Sequence, residues 1–89
     1  MSAQMIIELK DRAGAQTVLH KARLRASIER TKRRLAEFES RYGVDTVRFL
    51  HKIAAEDLAG GDVEYVEWAG EAKLLQGLEA ELEELEHVL

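Results

Sequence analysis

The chain has no cysteine and no proline among its 89 residues. Without thiols there is no disulfide framework and no thiolate metal site. Without proline, the breaks between elements fall to glycine. Apolar runs are only a few residues long, so no stretch is fit to span a membrane. The N-terminus lacks the basic region and long apolar core of a signal peptide. These absences predict a soluble protein of the cytoplasm. Aromatics are scarce too, with one Trp, two Tyr and two Phe.

Signals of chemistry are equally thin. The three histidines, His20, His51 and His87, fall on separate elements. Glu84-x-x-His87 has the spacing of half a di-iron site in a helix bundle, but the second pair and the further inward carboxylates are missing. His87 reads better as a solvated residue near a helix C-terminus, where its charge is favoured. No serine or threonine sits in a nucleophile motif, and no glycine-rich phosphate loop follows a strand. The expectation is a protein that is not an enzyme, with no metal and no cofactor.

What the chain does have is leucine at helical spacing. Leu75, Leu78, Leu82, Leu85 and Leu89 step by three and four, which is a heptad seam. Trp68 extends the seam one heptad upstream, and Glu71 interrupts it. Such a stripe on an acidic helix must be covered. An 89-residue chain makes one domain and buries little surface alone, so a partner chain is expected.

Taken in order, residues 1–15 read as a short strand over Met5–Leu9, with a frayed helical turn or a disordered lead as alternatives. The helical domain covers 16–89, with helices over about 16–42, 45–58 and 63–88. In the first, Leu24, Ile28, Thr31, Leu35, Phe38 and Tyr42 form a second seam with one polar member, Thr31. Gly43 reads as the left-handed residue that ends it, and Asp45 as the cap of the next helix. In that second helix Val47, Leu50 and Ala54 share a face, with Phe49 and Ile53 beside them. Gly60-Gly61 breaks the chain again, and Asp62 caps the third helix. Val63, Tyr65 and Val66 favour strands in isolation, yet the heptad spacing of Trp68 places them in a helix. Gly70 and Gly77 lie seven apart on one face, either by drift or because another backbone approaches there.

Charge is split. Residues 1–43 carry ten basic and five acidic side chains, and residues 44–89 carry three and twelve, so +5 and −9 combine to the net −4. The first seam is flanked by Arg25, Lys32, Arg34 and Arg41, the third helix by Glu67, Glu79, Glu81 and Glu86. An antiparallel pairing would set Arg25 or Lys32 against Glu79 or Glu86. The fold class predicted is all-α: an antiparallel helical hairpin with a short intervening helix. Two hairpins could join as a four-helix bundle about a two-fold axis, a homo-oligomer.

The cluster Lys21, Arg23, Arg25, Arg30, Lys32, Arg33 and Arg34 has two readings. It is a phosphate-binding face, with Arg23, Arg30, Arg33 and Arg34 as nucleic-acid contacts, or it is the partner of the acidic helix. No helix-turn-helix accompanies it.

Tyr42-Gly43, Phe49, Gly60-Gly61-Asp62, the run Glu67-Trp68-Ala69-Gly70-Glu71 and the Leu/Glu-rich last helix resemble, over residues 24–89, the short helical antitoxins of prokaryotic toxin–antitoxin pairs. The resemblance implies neutralisation of a cognate toxin by stoichiometric binding, with an amphipathic helix lying in a groove of the toxin. The partner-binding residues would be Tyr65, Trp68, Leu75, Leu78, Leu82 and Leu85. Trp68 and Tyr65 would be the anchors, unless they pack within the chain's own core. A homo-oligomeric coiled-coil protein and a nucleic-acid-binding module are the competing expectations.

Overall fold

A computed structural model describes the backbone of residues 3–56 and 62–87, and the side chains of 14–54 and 62–87. It contains α1 (Ala3–Tyr42), α2 (Thr46–Glu56) and α3 (Val63–His87), and no strand among the described residues. α1 and α3 run antiparallel as a hairpin, with Arg41 beside Glu64 and Arg34 beside Glu71. The expected end of the second helix near Leu58, the Gly60-Gly61 break and Leu89 lie outside the described residues.

One expectation is corrected at the N-terminus. Residues 3–15 are helical and continuous with the rest of α1, so the boundary at 15/16 falls inside a helix. A lone strand has no sheet to satisfy its backbone. A helix satisfies its own, and Gln4, Met5, Glu8, Leu9 and Lys10 are good helix formers that outweigh Ile6 and Ile7.

The breaks are built as the spacing implies. Gly43 has φ +67°, and its N–H donates to the Glu39 carbonyl at 2.8 Å. A side chain at that φ would be strained. Asp45 Oδ1 accepts the Arg48 N–H at 2.8 Å, and the Glu39 carboxylate accepts the Thr46 N–H at 2.7 Å. Asp62 Oδ1 accepts the Glu64 N–H at 2.9 Å. Two aspartates therefore each satisfy a donor that a helix start leaves orphaned.

The seam of α1 is buried from Leu24 through Phe38. Thr31 is buried with it, and its hydroxyl donates to the Ser27 carbonyl at 2.9 Å. That bond lies within α1, so it removes the cost of a buried hydroxyl without tying the register to α3. Glu71 is less of an interruption than its type suggests. Its side chain is 13% exposed and meets Arg34 at 2.8 Å.

The core sits at the turn end of the hairpin, where all five aromatics converge. Trp68, at 0% exposure, is its centre. Phe49 stacks on it at 3.8 Å between centroids and Phe38 at 5.5 Å. Tyr65 meets Tyr42 and Phe49 edge-on at 5.3 and 5.4 Å. The indole N–H donates to Thr46 Oγ1 at 3.0 Å, so its one polar atom is satisfied. This stack also rotates α2. Phe49 is buried, while Val47 and Ala54, expected on the covered face, point outward.

Candidate functional site

Trp68 and Tyr65, the expected anchors, pack against the chain's own core cluster. Trp68 is enclosed by Phe38, Phe49 and Tyr42, and Tyr65 is half-buried against Tyr42 and Phe49. Both belong to the chain's own core. The heptad row that found Trp68 marks a buried position equally well whether a helix packs on its own chain or on another.

The four leucines behave differently. Leu75, Leu78, Leu82 and Leu85 are all half-buried against α1, which is too narrow to cover them. They part to either side of it. Leu75 and Leu82 line the flank that carries α2, and Leu78 lines the opposite flank.

On the α2 flank, an open groove of about 560 Å³ continues down the hairpin below α2. Its floor is Ile28 and Leu82, and its walls include Arg25 and Lys32 on one side and Glu79 and Glu83 on the other. Lys32 also lines the groove above, between the hairpin and α2, so the two are contiguous.

The opposite flank holds a smaller groove of about 280 Å³ in which Leu74 and Leu78 lie across from Ser27, Arg30 and Arg34. Leu74 is 49% exposed. Val63 and Val66 continue this surface along α3, and both are exposed. Gly70 and Gly77 lie in the same stripe, with no atom within 4 Å of where a Cβ would stand. No close backbone within the described chain accounts for these two glycines.

The charge pattern is partly absorbed by the fold. Arg25 meets Glu86 at 3.0 Å, the pairing expected of an antiparallel hairpin, and His20 meets Glu81 at 3.2 Å. Arg41 lies over the Phe38 ring and pairs with Glu64, which also accepts the Tyr42 hydroxyl. That hydrogen bond, with partial burial, pushes the Tyr42 phenol up to about 12. Of the four proposed nucleic-acid contacts, Arg34 is committed to Glu71 and Arg30 donates to Ser27 Oγ. Arg23 and Arg33 are exposed and form no ion pair among the described residues.

His87 lies 3.6 Å from Glu83, one turn back on the exposed face, rather than being drawn inward with Glu84. Among the described residues, no three His, Asp or Glu side chains are grouped to hold a metal ion. Among them, too, no helix is long and apolar enough to cross a membrane.

Sequence reasoning missed Leu74, Val63 and Val66 as surface residues. The signal was present: with Gly70 and Gly77 they make a second stripe, offset from the leucine seam. No protein-family model matches this chain, no curated protein matches it, and no solved structure matches its fold.

Proposed function

We propose that this chain is a binding protein of the antitoxin kind, which neutralises a small toxin by stoichiometric complex formation and performs no chemistry itself. The observation that carries the reading is the uncovered flank of α3, where Leu74 is exposed and Leu78 and Leu85 are half-exposed. Such a stripe fits a helix-in-groove mode of recognition. Glu67 and Glu84 border it without an ion pair among the described residues. The surface that would receive it is therefore apolar with a basic rim, as an RNA-handling toxin site would be.

Co-expression with the product of the adjoining gene tests this. A complex that co-elutes, and growth rescued from that product, are expected. Leu78→Lys should abolish both while the circular dichroism of the free protein stays helical. No complex and no rescue would remove the reading.

A second reading, nucleic-acid binding through α1, is favoured by the exposed guanidiniums of Arg23, Arg30 and Arg33. Retention of DNA or RNA that weakens steeply with salt would support it, and no retention at low salt would end it.

A further inference from the structure

The chain exposes 7000 Å². A compact monomer of 10.1 kDa exposes about 5,300 Å². The excess is about 1,700 Å², and a stable complex hides roughly 800 Å² on each partner. Its radius of gyration, 19.1 Å, compares with about 12 Å for a compact chain of this length. So much surface calls for a cover, and the geometry of α1 indicates which.

α1 has 40 residues and α3 has 25. Facing residues of the hairpin have numbers that add to about 105: Arg34–Glu71 and Arg41–Glu64 give 105, His20–Glu81 gives 101 and Arg25–Glu86 gives 111. His87, the last described residue of α3, is thus level with about residue 18 of α1. Residues 3–16, about 21 Å of helix, have no described element beside them. The groove below α2 runs from Glu79 to Glu86 on α3, about 11 Å. The unaccompanied segment is therefore long enough to fill the groove, but within one chain it points away from it.

We propose that a second copy of this chain fills each groove: the two α1 helices cross antiparallel at Val18, and residues 3–16 of each lie in the other's groove. Val18 is 68% exposed and is spaced by sevens from Arg25 and Lys32, which line the groove, so all three occupy one row of α1. A two-fold axis at Val18 sets residue 11 level with residue 25 of the second copy, and the reverse. Gly14 stands near the axis with open space where a Cβ would be, so two backbones can close in there. Residue 3 of one copy reaches about the level of residue 33 of the other, beside Val47 of α2, which is 66% exposed and otherwise uncovered. The surface used is the α2 flank, so the proposal stands or falls independently of a toxin on the opposite flank.

A residue on a two-fold axis meets its own copy, and the chain has no cysteine to confuse the result. Val18→Cys should cross-link to a covalent dimer on mild oxidation, whereas Leu74→Cys on the other flank should not. The unmodified protein should sediment at twice 10.1 kDa at micromolar concentration. Val18→Glu should sediment as a monomer with its helical circular dichroism at residues 18–87 largely kept. A wild-type monomer at 100-fold higher concentration overturns the proposal. So does a dimer that cross-links through Leu74→Cys and not through Val18→Cys.

Discussion

The two ends of the hairpin are made of different materials. At the turn end, four aromatic rings from three helices gather about Trp68. At the open end, two helices face each other through Leu24, Ile28, Leu82 and Leu85, and the leucines of α3 stay half wet. The same heptad spacing runs through both. Spacing therefore fixes which side of a helix turns inward, and the number of neighbouring elements fixes how dry that side becomes. α2, with 11 residues, supplies the third neighbour at one end only.

The largest test of this contrast removes its centre. Trp68→Ala would leave a cavity where three rings stack and leave Thr46 without its indole donor. Buried aromatic truncations cost about 3–5 kcal/mol, a large share of the stability of a domain this small. Urea unfolding should find the variant largely unfolded. Leu85→Ala, in the same helix and seam but half-exposed, should cost less than half as much. Equal losses at the two positions would mean that the open end is as dry as the turn end, and the contrast would fail.

Much of this organisation is legible in the sequence. The two seams, the caps at Asp45 and Asp62, the glycine stop at Gly43 and the Arg25–Glu86 pairing all follow from local spacing and charge. What is not legible depends on elements distant in the chain. Trp68 has the same spacing whether it serves its own core or another protein's groove, and only the arrival of Phe38 and Phe49 decides between them. The rotation of α2, which buries Phe49 and turns Val47 outward, is set by the same stack. Met5–Leu9 reads as a short strand because Ile6 and Ile7 are β-branched, and nothing local shows that no sheet is there to receive it. The proposed partner stripe is half legible: the leucines are found, but their division between two flanks needs the width of α1.

The flank opposite α2 can be sharpened with its glycines. Gly70→Ala and Gly77→Ala meet no atom in the chain, and each replaces the poorer helix former. Each should stabilise α3 by about 1 kcal/mol, raising the melting temperature by several degrees. If a partner backbone approaches this face, the same pair of changes should weaken the complex while strengthening the free protein. Stabilisation with undiminished binding would show that the partner lies elsewhere.

The smallest effect lies at the turn end and is a matter of pH. The Tyr42 phenol is held at about 12, against 10.0 for a free tyrosine, chiefly by its hydrogen bond to the Glu64 carboxylate. Folding therefore favours the protonated phenol. The stability this contributes is fully present below pH 10 and is lost as pH rises through 12. Tyr42→Phe lacks both the bond and its titration. The variant should melt lower than the parent by a constant margin up to about pH 10, and the margin should shrink between there and pH 12. Absorbance titration in a Tyr65→Phe background, where Tyr42 is the one tyrosine left, should show the phenolate appearing late. A phenolate that forms at the ordinary pH, with a margin that never narrows, would show that Glu64 does not hold Tyr42 at the closed end of the hairpin.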